Sequence, residues 1–372
     1  MTSHVVIRSL AEFMPYADEW DAIHVKNKNS EVYQHSSFLI AWMKAAPIAN
    51  EPFIICCFHN QQLISGLPLM LKQELIAGIR VEVVVPMGTP LIDYIEPIYL
   101  NEEALAYLAD TLNSQARKVD AVLLENVRMS SPLYPHLIRL GYRQQHFVNC
   151  YSRKVTWSNN ADLSEIVIGR TNLRMLRGKY NRIARIGELS LSHEYAWTEI
   201  DSVLDSFFTF HIERWKHTDT PSMFTRPEYR AFYREMLCCM KENGTVLLSQ
   251  LKVGDVLIGV HFGLKFRSKL IWYTPAMNVE YSKFSVGNIL ATEIARNLPN
   301  MNLTLFDFSR GGEQYKMQFC DIEEENLTLS TEFTVKALII MWIRRNARLL
   351  LKSNTRLRSL LITLFKKDAS LC

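Results

Sequence analysis

The chain has 372 residues, of which 48% are hydrophobic and 22% are charged, a balance that excludes a disordered chain. This length exceeds one ordinary hydrophobic core and predicts two domains. The formal net charge of +4 is too small to indicate nucleic-acid binding by itself, and the seven scattered cysteines, without a C-x-x-C pair, predict buried reduced thiols rather than a zinc site.

The first residues, MTSHVVIRSLAEFMPYADEW, lack the basic start and the apolar run of a signal peptide. No stretch reaches the roughly 20 apolar residues that a membrane-spanning helix needs. We therefore expect a cytoplasmic protein.

The first half of the chain alternates between helical and strand patterns. The patterns predict helices at 16–25, 38–46 and 102–115, a hairpin at 53–72, and strands at 81–85 and 121–125. In the hairpin segment FIICCFHNQQLISGLPLMLK, two apolar strands flank the polar turn Asn60-Gln61-Gln62.

The second half repeats this order. It predicts helices at 200–215, 227–241 and 286–298, a hairpin at 246–265 (VLLSQLKVGDVLIGVHFGLK), and strands at 270–275 and 303–308. The repeated order indicates an internal duplication. The alternative is that two unrelated mixed α/β domains share a common order of elements.

A basic helix is predicted between the halves, at 170–187, with the sequence RTNLRMLRGKYNRIARIG. Its apolar residues follow a helical period, cationic residues cover the other faces, and Gly187 suits the C-cap. Two interpretations remain open. The helix is either a solvated connection or a basic surface that faces an anionic ligand.

A second basic helix is predicted at 335–365, where apolar residues such as Ile339, Trp342 and Leu349 alternate with arginine and lysine. Basic amphipathic helices often lie on anionic membrane surfaces. We favour peripheral contact with the inner face of a membrane, or with a partner, over a helix docked on its own domain.

A helix start at 285–290 follows a strand and a loop. Free backbone N–H groups at a helix start suit phosphate, Ser285 is a suitable N-cap, and Gly287 leaves room for a ligand. By itself, the pattern fits an ordinary capped helix better than a ligand site.

The segment 306–319, FDFSRGGEQYKMQF, places Asp307, Arg310, Glu313, Tyr315 and Lys316 around the end of one apolar strand. A carboxylate within such a strand is costly unless it is paired, and Arg310 is the nearest candidate partner. Strand ends are frequent sites in α/β folds. The alternatives are an active site and a salt-bridged turn.

The matching region of the first half, AVLLENVRMSSP at 121–132, lacks the Gly-Gly pair, the tyrosine and the lysine. We therefore expect the site in the second half.

His211 and Trp215 share one helix face in HIERW, while His261 in the second hairpin fits a satisfied structural histidine better than a base. The sequence contains no G-x-S-x-G, no Walker A motif and no G-x-G-x-x-G. Covalent serine catalysis and nucleotide hydrolysis are therefore disfavoured.

Four segments in order resemble the CelD-like acyltransferases of the GNAT superfamily, which are associated with exopolysaccharide and envelope biosynthesis. They are RTNLRMLRGKYNRIARIGELSL, HIERW, FSVGNILATEIA and FDFSRGGEQYKMQF. The resemblance covers 162–334 and is weaker in the first half, through Trp20, Phe38, Trp42 and Asp93-Tyr94. It implies an α/β fold of two tandem GNAT-like domains, each a mixed sheet flanked by helices. We expect these at 1–155 and 156–334, followed by the basic helical tail at 335–372.

The resemblance also implies acyl-CoA as co-substrate, with its pyrophosphate near Gly287-Asn288, and no metal. The sequence departs from the general GNAT phosphate loop, R/Q-x-x-G-x-G/A, because KFSVGN has one glycine only. We expect Ser285, Gly287, Asn288 and Lys316 to bind the donor.

The expected reaction is direct acyl transfer from a thioester to an amine of an amino sugar or another polysaccharide precursor. It needs a base, an acid for the leaving thiolate and groups that hold anions. Asp307 and Glu313 are the candidate bases and Tyr315 the candidate acid. Arg310, His211 and Trp215 are expected to contact substrate.

Two alternatives stay open at this stage. The first is a transferase related to the FemABX enzymes that uses aminoacyl-tRNA, with the basic helix at 170–187 contacting RNA. The second is a non-catalytic accessory protein that the C-terminal helix recruits to a membrane-bound polysaccharide machine.

Overall fold

The computed structural model describes residues 1–45, 50–76, 79–159, 161–193, 199–218, 220–241, 244–340 and 342. The helices there are α1 (Leu10–Phe13), α2 (Ala17–Lys26), α3 (Ser36–Ala45), α4 (Glu102–Ala116), α5 (Leu133–Arg139), α6 (Leu163–Ile166), α7 (Arg170–Ile183), α8 (Ile200–Trp215), α9 (Pro227–Met240) and α10 (Val286–Asn297). The strands are β1 (Thr2–Ile7), β2 (Asn50–Pro52), β3 (Ile54–His59), β4 (Gln62–Leu67), β5 (Leu69–Ile76), β6 (Ile79–Pro86), β7 (Ile98–Tyr99), β8 (Ala121–Arg128), β9 (Arg143–Lys154), β10 (Leu189–Ser192), β11 (Val246–Val253), β12 (Val256–Phe266), β13 (Lys269–Met277), β14 (Leu305–Arg310) and β15 (Ile322–Glu332).

Contacts divide the chain into a first unit, 1–147 with 325–372, and a second unit, 148–324. The order helices, hairpin, strand, helix, strand is present in both units, as the sequence predicts. The mixed α/β fold is therefore confirmed.

In the first unit, one sheet has the strand order β1-β3-β4-β7, and the order β15-β8-β6-β5-β2 forms a second run of paired strands. The predicted hairpin at 53–72 is interrupted at Pro68: β4 pairs with β3, whereas β5 pairs with β6. Proline has no N–H to donate to a strand ladder, so the chain changes sheets at this residue.

Residues from 325 onward group with the first unit because β15 pairs with β8, from Asn326 opposite Arg128 to Glu332 opposite Ala121. The sequence placed 325–334 at the end of the second domain. The domain boundary expected from the sequence, at 334, therefore differs from the boundary by contacts, which lies at 324.

In the second unit, the strand order is β10-β11-β12-β13-β14-β9. Side chains of β12 alternate between the two faces of this sheet. Phe262 packs with Phe207 of α8 and Tyr233 of α9 on one face. On the other face, a Cβ at Gly259 would lie 3.2 Å from Val286 Cγ1, so the glycine lets α10 approach the strand closely.

Two local predictions are corrected. The basic helix α7 ends at Ile183, with Ala184 as its C-cap, so Gly187 does not cap it. Cys238 is exposed, in contrast to the expected buried thiols, whereas Cys56 and Cys57 are buried.

A helix begins at Val335, as the sequence predicts, and is described to Ile340 with Trp342 beyond it. The remainder of the predicted helix, to 365, lies outside the described residues. Within the described part of the chain, every helix is too short or too polar to cross a membrane.

Candidate active site

The adjacent parallel strands β13 and β14 pair only at their beginnings. Lys269, Leu270 and Ile271 are in register with Leu305, Phe306 and Asp307. β13 then continues to Met277, while β14 ends at Arg310 without further pairing to it in the described residues. A crevice at the carboxyl ends of parallel strands is where α/β folds place ligands.

Asp307 lies at the root of this divergence and is 3% exposed. Its Oδ2 lies 3.3 Å from Lys269 Nζ, and its Oδ1 accepts a hydrogen bond of 2.7 Å from the Ser309 N–H. Ser309 has φ +53°, and the pairing of β14 with β9 shifts between Asp307 and Ser309. The carboxylate therefore stabilises a bulge. The sequence pointed to Arg310 and missed Lys269 as a partner, because only the parallel register brings Lys269 close.

The turn after β14 is held by a buried lysine. Lys316 is 3% exposed, and its Nζ donates to the Arg310 carbonyl at 2.6 Å and lies 2.9 Å from Glu313 Oε2. Gly311 has φ +113°, a backbone conformation that favours glycine over residues with a Cβ. Lys316 therefore orders the turn, and the Glu313 side chain is 56% exposed beside it.

Tyr315 lies on the short 3-10 helix Gln314–Gln318 that this turn begins. The Trp272 indole Nε1 donates a hydrogen bond of 3.1 Å to the Tyr315 hydroxyl oxygen. Burial, and then the neighbouring Glu313 charge, raise the pKa of Tyr315, so the phenol is protonated at neutral pH.

The start of α10 lies next to the same 3-10 helix, because Asn288 Nδ2 donates to Gln318 Oε1 at 3.1 Å. Ser285 is the N-cap but has φ +56° and makes no side-chain capping bond, in contrast to the expected cap. Its carbonyl accepts from the N–H groups of Asn288 and Ile289. The N–H groups of Val286 and Gly287 have no acceptor among the described residues, as expected for the first turn of a helix.

The C-terminal end of α8 lies beside the start of α10. Arg214 Nη1 is 3.6 Å from Met277 Sδ, and a Cβ at Gly287 would lie 3.1 Å from Met277 Cε. Arg214 is exposed, and the sequence analysis did not single it out as a site residue. Its contact with Met277 brings the end of α8 to the other site elements.

His211 and Trp215 stack on each other with ring centroids 6.0 Å apart, and His211 Nδ1 lies 2.8 Å from Ser222 Oγ. Burial, and then the nearby Arg214, lower the pKa of His211 to about 4. His211 is therefore neutral at physiological pH. His211 also packs edge-on against Phe224, with ring centroids 4.9 Å apart.

The basic helix α7 also reaches this region. Lys179 Nζ donates to the Lys283 carbonyl at 2.6 Å, in the 3-10 helix Val279–Phe284 before α10, and the Tyr180 hydroxyl donates to Glu293 Oε1 at 2.5 Å. The exposed cationic side chains of this helix and its C-terminal end are Arg170, Arg174, Arg177, Arg182 and Arg185. In the described ranges, no three His, Cys, Asp or Glu side chains form a group that could hold a metal.

Residues 170–317 match the family model of the acetyltransferase (GNAT) domain. The chain is therefore an acyltransferase. The matched range begins with α7 and contains the start of α10, Arg214 of α8, and the turn from Arg310 to Lys316. No curated protein sequence matches the chain.

Solved structures show the same fold at low sequence identity. FemX has a TM-score of 0.63 at 11% identity, over 92% of this chain and 99% of that chain. L-PGS from Bacillus licheniformis has a TM-score of 0.57 at 10% identity, over 89% and 95%. The C-terminal domain of a putative lysylphosphatidylglycerol synthetase from Agrobacterium fabrum has a TM-score of 0.55 at 11% identity, over 88% and 94%. These similarities establish the fold.

The anchoring role of Asp307 has a direct test. Asp307→Asn removes the negative charge 3.3 Å from the largely buried Lys269 ammonium, and we expect it to cost about 3–5 kcal/mol of unfolding free energy. Lys269→Met with Asp307→Asn removes both charges and should recover much of the loss. Urea unfolding followed by circular dichroism measures both. A double variant as unstable as the single one would contradict the ion-pair interpretation.

The lowered pKa of His211 predicts an acid sensitivity of folding. Because its pKa in the folded chain, about 4, lies below the unfolded value of about 6.5, the unfolded chain binds more protons between these values. Stability therefore falls as the pH drops from 6.5 to 4. His211→Gln should reduce this fall in melting temperature. His59→Gln, at an exposed position, controls for losing a histidine. Equal pH slopes for all three proteins would refute the prediction.

Proposed function

We propose that the chain is an N-acyltransferase that uses acyl-CoA and acylates an amine on an amino sugar or another envelope precursor. The observation that carries the proposal is the hydrogen bond between Asn288 and Gln318, which joins the start of α10 to the 3-10 helix of Tyr315. A helix start suited to an anion and a protonated phenol thus lie at one strand divergence.

The donor would place its pyrophosphate on the N–H groups of Val286 and Gly287. These groups lie at the positive end of the α10 dipole, where negative charge is favoured. The close approach of Gly287 to Met277 leaves little room for a side chain there. Lys179, anchored on the Lys283 carbonyl, adds positive charge to this edge.

In the proposed reaction, the amine nitrogen forms a bond to the thioester carbonyl carbon and the carbon–sulfur bond breaks. Glu313 would accept the amine proton, through a water molecule, because its carboxylate is more than half exposed. Asp307 is less suited to this role because its carboxylate is buried against Lys269 and Ser309. Tyr315 would protonate the leaving thiolate. A proton passed on from Glu313 would restore the phenol.

The other predicted residues receive roles in keeping with their contacts. Lys316 would hold Glu313 in place rather than bind the donor, because its ammonium group is buried on Arg310 and Glu313. Arg310, half-buried at the strand end, would face anionic groups of the substrate. The stacked pair of His211 and Trp215 would form an acceptor-side wall.

An aminoacyl-tRNA donor is the second candidate. The similarity of fold to FemX and to lysylphosphatidylglycerol synthetases supports considering it, and the exposed arginines of α7 offer a surface for RNA phosphates. The two donors differ in size and in salt dependence, so one binding experiment separates them.

Donor binding is tested by thermal shift, because a ligand of the folded state raises the melting temperature. We expect acetyl-CoA and CoA to stabilise the protein and bulk tRNA not to. Gly287→Val should weaken CoA binding at least about tenfold, or roughly 1.4 kcal/mol. Gly178→Val is the matched control, because a Cβ at Gly178 on α7 meets no atom within 4 Å. Salt-sensitive stabilisation by tRNA, without any by CoA, would replace the proposed donor.

We also propose peripheral membrane contact through the helix that begins at Val335. Its buried side, Ala337 and Ile340, packs inward. Its other apolar residues, spaced i, i+3, i+4 and i+7, are exposed: Val335 at 72%, Leu338 at 44%, Ile339 at 50% and Trp342 at 57%. Residues 336–367 carry nine lysines and arginines in the sequence. Exposed aliphatic and tryptophan side chains with nearby cations suit an anionic bilayer surface.

Vesicle co-sedimentation of the full chain tests this surface. We expect binding to vesicles with phosphatidylglycerol, and weak binding to phosphatidylcholine alone. Ile339→Ser with Trp342→Ser should lower the bound fraction several-fold. Val256→Ser, at a residue 46% exposed in β12, is the control. Binding that the double variant leaves unchanged would rule out this surface.

A further inference from the structure

The hydrogen bond between Trp272 and Tyr315 has only one possible direction. An indole N–H donates and cannot accept, so the Tyr315 oxygen is the acceptor. The hydroxyl proton of Tyr315 is then directed away from Trp272. The phenol can therefore donate this proton to an acceptor other than Trp272.

Trp272 occupies the position where β13 leaves β14. Ile271 is the last residue of β13 in register with β14, and Trp272 follows it. The indole is 3% exposed, and Phe306 and Phe308 pack against it with ring centroids at 6.1 and 5.7 Å. Its plane is therefore fixed by the aromatic side chains of the neighbouring strand.

His261 of β12 supports the opposite side of the indole. The two rings stack with centroids 4.3 Å apart and planes 18° apart. His261 is fully buried, and neither ring nitrogen has a hydrogen-bond partner in the described part of the chain. This differs from the satisfied histidine that the sequence predicts. Gly263 leaves room for the imidazole, since a Cβ there would lie 2.6 Å from His261 Cε1.

An unpaired buried imidazole is costly, because its nitrogens lose water without gaining a partner. Burial lowers the pKa of His261 to about 3, so the ring is neutral and stacks as a flat, uncharged surface. The side chain contributes to the site through this stacking on Trp272 rather than through hydrogen bonds.

We propose that Trp272 is a positioning residue that fixes Tyr315 as the proton donor to the leaving group, and that His261 holds the indole in the required plane. This inference rests on the proposed acyl transfer. When the carbon–sulfur bond breaks and the thiolate takes the Tyr315 proton, negative charge develops on the phenol oxygen. The Trp272 N–H then makes a charge-assisted hydrogen bond to that oxygen, which is stronger than the neutral one.

A double-mutant cycle tests the proposal. Thiol release from acetyl-CoA is measured with a panel of amino sugars for wild type, Tyr315→Phe, Trp272→Phe and the double variant. We expect Tyr315→Phe to lower kcat about 100-fold and Trp272→Phe about tenfold, with the KM for acetyl-CoA within twofold. In the Tyr315→Phe background, Trp272→Phe should have no further effect, because its role passes through the phenol.

Trp157→Phe is the matched control. The Trp157 indole is also buried in this unit and donates to a backbone carbonyl, that of Ala295, at 2.9 Å. Its effect on kcat should be the same in both backgrounds. If Trp272→Phe behaves in this additive way, the residue is structural only and the proposal is wrong. If Tyr315→Phe retains full kcat, the proposed acid fails instead, which is a separate outcome.

A second measurement does not depend on substrate. With ¹⁵N-labelled tryptophan, seven indole N–H resonances are expected, and the one lost in Trp272→Phe identifies Trp272. Tyr315→Phe should shift this resonance. His261→Ala should also shift it, and His261→Phe, which keeps a flat ring, should restore it. If the chemical shift of the Trp272 resonance does not change in Tyr315→Phe, the hydrogen bond is absent and the proposal is overturned.

Discussion

The buried ion pair between Lys269 and Asp307 lies at the point where the parallel strands β13 and β14 of the second unit part. The pair lies within the three residues over which β13 and β14 are in register. The same carboxylate accepts a hydrogen bond from the N–H of Ser309, two residues later in β14. Buried ion pairs add little net stability but are strongly destabilising when one partner is removed. This pair therefore acts chiefly on geometry. It holds the bulge of β14 at Ser309. Trp272, the next residue of β13, packs on Phe306 and Phe308 of β14 and also reaches Tyr315 beyond the turn.

A second buried lysine continues this arrangement. Lys316 ties the carbonyl of Arg310 to the carboxylate of Glu313, so the turn after β14 has one defined shape. Tyr315 lies between these groups in sequence and is placed by them. The ammonium groups of Lys269 and Lys316 thus stabilise the bulge of β14 and the turn that follows it. Under the proposed function, the groups that would act on the donor are the Tyr315 phenol, the exposed Glu313 carboxylate and the first N–H groups of α10.

Much of the secondary structure was predictable because its signals are local. The bounds of α8, 200–215, agree with the predicted ones, since the apolar period of a helix is contained within its own residues. The candidate site segment was likewise chosen from the sequence, because polar residues cluster at one strand end, and its role stays a prediction. The partner of Asp307 was not, because Lys269 is 38 positions away and only strand register brings them together. The same holds for Trp272, whose side chain meets Tyr315 across the divergence. The break at Pro68 was missed because one continuous apolar run served two different strand pairings.

The first unit has a similar bulge in its strand β8, but the polar side chains around that bulge make different contacts. Its strand β8 also has a bulge with a residue at positive φ, Asn126 at +64°, where Ser309 at +53° occupies β14. Conservation of an irregular backbone feature at the same element in both units is hard to explain by a shared order of elements alone, and favours duplication. In the first unit, however, Asn126 donates to the Ile92 carbonyl and Arg128 pairs with Glu31 while covering the Tyr94 ring. Polar groups that surround the bulge there are bonded inside the unit. In the second unit, the segment after the bulge carries the exposed Glu313 carboxylate and the Tyr315 phenol, which accepts a hydrogen bond from Trp272. This difference is why we propose the chemistry in that copy.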